Sequence, residues 1–380
     1  MTETVDVAII GAGPAGATAA YFLGEAGKKV LVFEKEKLPR YKTCGGGLSR
    51  RFLQAQFPFS FEPVLRTEIN AVTYSFVGLS VTIPIKSGMI DMVMRSEFDA
   101  HLLSHTRAQV RQGVSVRTIT EMPDHVIIET SDGSRIEAAY LVGADGVNSI
   151  VARDSGLRRK KKLAAAIEAE AWVPEHIQKR FANSPVFIFG EIRLGYLWIF
   201  PKADHLSVGI ASLHPRRGAL QTTLRRVMGR FDIQMEGVPL HGHPIPVYTR
   251  RESIATRRTL LAGDAAGLVD PFSGEGIRYA IKSGRLAAEA ILSGKIGQYS
   301  EQVYRDIGRF HRWAMAEAMF FYNLQAICLA LGAPNPFTTQ AIIDMLSDQV
   351  NAFDVMMLAI ATLPVYLLTE VSAALAGLFG

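Results

Sequence analysis

The chain has 380 residues, 48 % hydrophobic and 20 % charged, a globular composition that excludes an intrinsically disordered protein and leaves room for two or three packed units. Its two cysteines, Cys44 and Cys328, exclude a disulfide framework and a cysteine-rich metal site, so no metal is expected and a reducing compartment fits. A net charge of +5 and a pI near 9.1 suit an anionic partner without choosing among nucleic acid, phospholipid and a diphosphate.

The stretch VDVAIIGAGPAGATAAYFLGEAGKKVLVFE, Val5–Glu34, reads as a βαβ unit. An apolar strand, Val5–Ile10, leads into Gly11-Ala12-Gly13-Pro14-Ala15-Gly16, then an Ala-rich helix to about Gly24, a turn at Gly27 and a second strand, Val30–Phe33. In such a unit Gly11 permits the tight turn, Gly13 lets backbone amides approach a pyrophosphate, and Gly16 lets helix and strand pack closely. The phosphates then meet a helix N-terminus, and the acid Glu34, roughly 20 residues on, is placed for an adenosine ribose. No signal-peptide pattern precedes the first strand, which leads to the expectation of a cytoplasmic protein.

Further along, LPRYKTCGGGLSRR sets Gly45-Gly46-Gly47 directly after Cys44; the loop is either a flexible connection or a backbone approach to a flat ligand. Met94–Ala108 reads as an amphipathic helix with Arg95 at its start, either a surface charge or a phosphate contact. From Val114, VSVRTITEM, HVIIET and RIEAAYLVGA form a β-meander turning at Ser131–Ser134. Asp145 follows its third strand, either in a plain Asp-Gly turn or at the strand edge where α/β folds bind ligands. The basic run Arg158–Lys162 is expected to be a solvated loop.

Leu163–Val247 holds further strands, including VFIFGEI, GYLWIFPK and HLSVGIAS, with a helix at Leu220–Phe231. Alternation in GYLWIFPK puts Tyr196, Trp198 and Phe200 on one strand face, with Pro201-Lys202 ending it; the stripe is either core or the wall of a ligand cavity. At Thr259–Lys282 a short strand reaches Gly263-Asp264, and PFSGEG leads into a helix at Gly276, a second dipole-bearing end. Asp264 either caps its own turn or contacts a ligand. Beyond about residue 295 the chain is helical and apolar. Neither Ala314–Ala333 nor Val355–Thr369, interrupted by Pro364, gives the about 18 clean apolar residues of a spanning helix, so a buried cap or an interfacial membrane contact is expected. Zinc-finger spacing, RNP motifs and repeats are absent, and no nucleic-acid partner is expected.

Three separated segments, the opening glycines with Glu34, Asp145-Gly146, and Gly263-Asp264 with DPFSGEGIRYAI, resemble the FAD-binding motifs of the para-hydroxybenzoate hydroxylase superfamily. Within it, YKTCGGGLSRR and GYLWIFPK resemble the geranylgeranyl reductase family. The resemblance covers most of Val5–Gly294. It implies an α/β plus α+β fold: a discontinuous Rossmann-like FAD-binding domain (1–62, 91–160, 248–295), an antiparallel-sheet substrate domain (63–90, 161–247) and a helical C-terminal region (296–380).

By the family pattern Gly11, Gly13, Pro14, Ala15, Gly16, Glu34 and Lys35 hold the ADP half of FAD. Arg95 and Asp145 approach the pyrophosphate, and Gly263 and Asp264 the ribityl chain. Cys44, Gly45, Gly46, Gly274, Gly276 and Ile277 lie by the flavin ring; Gly47, Tyr196, Trp198, Phe200 and Pro201 are implied for substrate. The implied activity is saturation of prenyl carbon–carbon double bonds on a diphosphate, lipid, chlorophyll or quinone, with NADPH or ferredoxin as electron donor and an anionic membrane inner face as a further partner. An aromatic-ring monooxygenase and a non-catalytic flavoprotein are the other readings. A prenyl pocket excludes most water, so a proton source is needed, and the neutral Cys44 thiol is either that source or a packing residue.

Overall fold

In the computed structural model, which describes residues 3–86, 88–158, 160–216, 218–332 and 335–379, the chain divides into two units. The first comprises Met1–Lys42, Met94–Ala164 and Pro244–Met315; the second comprises Thr43–Val93, Ala165–His243 and Ala316–Gly380. The Cys44 loop therefore belongs with the antiparallel sheet, and so do the last helices.

The first unit is built on a seven-stranded sheet. Its parallel strands Gln109–Gln112, Val30–Glu34, Glu3–Ile10 and Arg135–Gly143 lie side by side, and Thr259–Leu261 pairs parallel with Arg135–Gly143. Buried on both faces, these strands read as near-continuous apolar runs, VDVAII and VLVF, as parallel strands do. Val126–Thr130 and Val116–Glu121 add the expected meander, antiparallel, to the other edge. The register aligns Ile10 with Phe33, Ile10 with Gly143 and Gly143 with Leu261, so Gly11, Glu34, Ala144-Asp145 and Ala262-Gly263 leave the sheet at one carboxyl edge. Helix Pro14–Glu25 starts there, with Pro14 at its first position, where the missing N–H costs nothing.

In the second unit a seven-stranded sheet runs in the order His241–Val247, Lys162–Ala171, Leu206–Ser212, Gly195–Pro201, Val186–Phe189, Ala71–Phe76, Leu79–Pro84. One face carries the core: Leu197, Ile199, Val208 and Ile210 are buried against Leu224 and Val227 of helix Ala219–Gly229. A smaller sheet of Gly47–Ser49, Ile90–Val93 and Leu65–Ile69 follows the glycine loop. The mixed α/β and α+β expectation holds.

Three expectations are corrected. The Met94–Ala108 helix is shorter, Arg95–Ser104, because Thr106 and Arg107 turn toward the strand at Gln109. The basic run is not a solvated loop throughout: Arg158 is buried and ion-paired to Glu252 at 2.5 Å, and Lys161 Nζ donates to the Val147 carbonyl at 3.0 Å. Lys160 and Lys162 do face solvent, and Arg159 lies outside the described residues. Pro364 does not interrupt the last helix, which runs from Ala352 to Phe379; a proline removes one backbone donor and need not end a helix that is otherwise favoured. Among the described residues no helix is long and apolar enough to cross a membrane.

Candidate functional site: a dinucleotide cradle and an aromatic sheet face

At the carboxyl edge of the parallel sheet the three glycines of GAGPAG differ in what surrounds them. Gly11 has φ +98°, and a Cβ there would stand 2.3 Å from the Ala144 carbonyl oxygen. At Gly16 a Cβ would stand 1.9 Å from the Gly11 carbonyl oxygen, so helix and strand meet with no room for a side chain. Gly13 is open: the nearest atom to a Cβ is Arg40 Nη2 at 3.8 Å. The unobstructed backbone at Gly13 is also the N-cap of helix Pro14–Glu25, with no side chain capping it. A helix N-terminus with no side-chain cap, its dipole and a clear approach together fit a pyrophosphate.

Around this cradle, Glu34 is buried and accepts from the Ala12 amide at 2.9 Å and from the Glu36 amide at 3.2 Å, which fixes its carboxylate at the glycine turn; Lys35 is exposed beside it. Arg95 forks onto Asp99 with two 2.8 Å bonds, and the same carboxylate takes Arg40 Nη1 at 3.3 Å. Arg40 thus stands over Gly13 with a guanidinium that its sequence context, LPRYKTC, did not single out. Asp145 accepts from Ser149 Oγ at 2.5 Å and from the Ile150 and Val151 amides, capping the short helix Ile150–Asp154; burial pushes its carboxyl up against those hydrogen bonds. Asp264 is half-buried in the turn Gly263–Ala265, 3.7 Å from where a Cβ of Gly276 would be. Gly276 is the N-cap of helix Ile277–Leu292, Ile277 is buried, and Gly274 has φ +74°. The loop between is tied by Asp270, which accepts from the Phe272 and Ser273 amides, both at 2.8 Å.

In the second unit, alternation and register place a second set of groups. Tyr196, Trp198 and Phe200 share a face, with successive ring centroids 6.1 Å apart, and the residues between them, Leu197 and Ile199, point into the core. The aromatic stripe is therefore on the sheet face away from that core. Pairing of Trp198 with Gly209, Gly209 with Glu168, Phe200 with Ser207 and Ser207 with Glu170 puts two carboxylates on the stripe's own face. The glycine loop lies on this face too: a Cβ at Gly45 would be 2.7 Å from the Phe200 ring and 3.5 Å from Trp198 Nε1. Gly47 and Pro201 are strand residues of different sheets, Gly47 exposed with Met92 3.7 Å from where its Cβ would be, and Pro201 buried at the end of the aromatic strand.

Lys202 continues the alternation of 196, 198 and 200 past Pro201 and turns inward. It is 2 % exposed, and its Nζ donates to the carbonyls of Gly45 at 2.6 Å and Val93 at 2.9 Å. Burial pulls the ammonium's pKa down, opposed by the Glu170, Cys44 and Glu168 side chains around it. Glu168 is fully buried; Ser207 Oγ donates to its Oε1 at 2.8 Å, and its Oε2 has no hydrogen-bond partner among the described residues. Burial first and the neighbouring Glu170 second push its carboxyl up to about 7, against Ser207, Lys202 and the Cys44 main chain. At the outer end of this row His205 approaches Glu170 Oε2 at 2.9 Å, poorly aligned for a hydrogen bond, and meets Asp204 at 2.6 Å. Burial works against a charge on His205, but the two carboxylates outweigh it and raise its pKa. The exposed Trp172 stacks on that imidazole at 4.9 Å.

A glycine cradle at the edge of a parallel sheet, held with an acid and an arginine on a chain that also carries an antiparallel unit, defines a dinucleotide-binding flavoprotein, an FAD-dependent oxidoreductase. The chain belongs to the FAD binding domain family, whose model it matches over residues 4–55 and 67–303. It is 30 % identical to a menaquinone reductase of Mycolicibacterium smegmatis over 79 % of each chain. It is 32 % identical to a geranylgeranyl diphosphate reductase of Rhodobacter capsulatus over 76 % of this chain and 75 % of the relative. In fold it matches a geranylgeranyl bacteriochlorophyll reductase-like protein of Thermoplasma acidophilum with a TM-score of 0.77, covering 98 % of this chain and 100 % of that one at 21 % identity.

Proposed function

We propose that this oxidoreductase saturates carbon–carbon double bonds of a prenyl chain. The observation that carries the reading is the sheet face of Tyr196, Trp198 and Phe200, opposite the core face of Leu197 and Ile199, with Phe200 packed against the cluster that includes Met92 and the Cys44–Gly45 loop adjoining it. Three aromatic rings beside a glycine-rich loop make an apolar surface suited to a flexible isoprenoid, and the name of the geranylgeranyl diphosphate reductase relative supports that substrate class.

Gly11, Gly13, Gly16, Glu34 and Arg40 are the residues that would hold the ADP half of FAD, with Asp264 and the Gly274–Gly276 turn toward the flavin. When bound, FAD supplies the hydride that goes to one alkene carbon. The other carbon needs a proton, and Cys44 is the group proposed to give it, because a neutral thiol sits in an apolar surface at less cost than a charged acid. Lys202 fixes the loop that presents Cys44 by bonding the next residue's carbonyl. The aromatic face holds the chain and keeps water from the reacting carbons.

The test is anaerobic incubation of the dithionite-reduced protein with geranylgeranyl diphosphate, prenylated lipids and prenylquinones, followed by mass spectrometry. The expected product gains two hydrogens per reduced bond. Oxygen-dependent hydroxylation of an aromatic ring, with every prenyl chain returned unchanged, would overturn the reading.

A further inference from the structure

The proposed chemistry leaves a buried acid unused. Cys44 is half-buried, and a bound prenyl chain would cover it, so each turnover that takes its proton leaves a thiolate best re-protonated by a group within the protein. Glu168 is placed for this. It is fully buried on the same sheet face as the aromatic stripe, Ser207 holds one of its oxygens, and the other is unpartnered among the described residues. The Cys44 main chain faces it, and Lys202 pins the adjoining Gly45 carbonyl.

An unpartnered buried carboxylate oxygen is costly if it bears charge and tolerable if it carries a proton. A carboxyl near 7 is protonated for much of the neutral range and ionises readily, as a proton carrier must. Among the described residues, Glu170 from its own strand raises it, Lys202 from the end of the aromatic strand lowers it, and the Ser207 hydroxyl and Cys44 main chain stabilise its anion. The neighbouring ionisable groups line up toward the surface. Glu168, Glu170 and Trp172 are alternate residues of one chain segment, with His205 stacked on the exposed Trp172 and set against Glu170.

We propose that Glu168 re-protonates Cys44 after each alkene reduction and is itself re-supplied from the His205 edge through Glu170. This deepens the prenyl-reductase reading and rests on it. In the balanced step the Cys44 S–H bond breaks as a C–H bond forms at one alkene carbon, while reduced flavin provides the hydride and both electrons to the other. The Glu168 O–H proton then passes to the Cys44 thiolate, and the Glu168 carboxylate takes a proton from the His205 imidazolium by way of Glu170.

The test uses the FAD-loaded protein carrying Cys328→Ser, so that Cys44 is the only thiol, and compares it with Glu168→Gln and Ser207→Ala. Iodoacetamide alkylation of Cys44 is followed against pH without substrate. In the parent the alkylation profile carries a step near neutrality, where the Glu168 anion forms. Glu168→Gln removes that step, and Ser207→Ala, which takes a hydrogen bond from the anion, moves it to higher pH. With a prenyl substrate, the loss in Glu168→Gln falls on turnovers after the first, which slow by about tenfold or more.

A parent-like step in Glu168→Gln, or one unmoved in Ser207→Ala, overturns the proposal even where the parent reduces prenyl chains. A parent that reduces no prenyl chain yet shows the step overturns the substrate reading instead. The alkylation profile needs only a folded chain, so a general loss of activity does not mimic the result.

Discussion

Trp198 lies across Gly209: a Cβ at Gly209 would stand 2.1 Å from Cζ2 of the indole and 2.5 Å from Cε2. The ring cannot keep its place if that position bears a side chain. Gly209→Ala is expected to tilt Trp198 off the sheet, to cost about 1–3 kcal/mol through overpacking, and to raise KM for a prenyl substrate while leaving flavin content unchanged. Tryptophan fluorescence, flavin absorbance and steady-state kinetics on one preparation check all three; unaltered fluorescence and KM would show that the stripe does not meet substrate.

The glycine turn separates packing from binding. Gly16→Ala drives a methyl into the Gly11 carbonyl and should lower the melting temperature of the apoprotein as well as the holoprotein. Gly13→Val has room at Cβ and should leave apoprotein melting nearly unchanged while flavin occupancy falls by at least about tenfold, since the side chain obstructs the pyrophosphate. Gel filtration followed by flavin extraction and apoprotein melts decides it, and equal flavin content in Gly13→Val and the parent would remove the cradle from the FAD site.

Replacing Cys44 by Ser or Ala should slow alkene reduction by about 10²-fold or more, the contribution of a positioned general acid, with flavin occupancy and substrate binding retained. Rates equal to the parent in both variants would exclude proton donation by this thiol.

Stability should fall as pH rises through neutrality. Glu168, ordinarily near 4.5 and about 7 when folded, keeps its proton longer in the native state, so between those values unfolding releases a proton and rising pH favours the unfolded chain. At about 1.4 kcal/mol per unit this is on the order of 3 kcal/mol, lost by pH 7 and not beyond it. His205, raised in the folded state, adds a contribution that is complete below its ordinary value and vanishes as pH rises through the higher folded one. Melts from about pH 4.5 to 8 on the parent and Glu168→Gln give the result; the acid half of the slope should disappear in the variant.

Phe320, Ile327, Ile360 and Leu368 of the last helices are 61, 56, 59 and 71 % exposed, large apolar side chains of the kind that insert at a lipid interface. We expect co-flotation with anionic liposomes at low salt, lost when Ile360 and Leu368 are both changed to Ser. An intact protein that stays with the soluble fraction would refute it.

The parallel sheet, the glycine turn and the aromatic strand were legible in the sequence because each follows a short-range rule: apolar runs, glycine spacing, alternation by two. The carboxylate row was not. Glu168 and Glu170 sit in KLAAAIEAEA, an Ala and Glu stretch whose intrinsic preference is helical, and its strand conformation comes from pairing with Leu206–Ser212 far along the chain. Lys202 was hidden by Pro201, which marks a strand end, although the even-numbered alternation runs on through it. Arg40 follows a proline in a loop, where no periodicity exists to say which way a side chain points. Arg158 looked like one more surface charge in a basic run until the fold brought Glu252 to it.

One ammonium decides how the glycine loop behaves. Three consecutive glycines would ordinarily give a segment that samples many shapes and settles only when something binds, yet Gly46, at φ +73°, is locked between the Val93 carbonyl and Lys202 Nζ, which also grips Gly45. The loop is thereby preorganised, and a ligand meeting it need not spend affinity on ordering it. Lys202 acts as a clasp at the end of a strand, so its removal should show first as slower, entropically disfavoured association rather than as a damaged core.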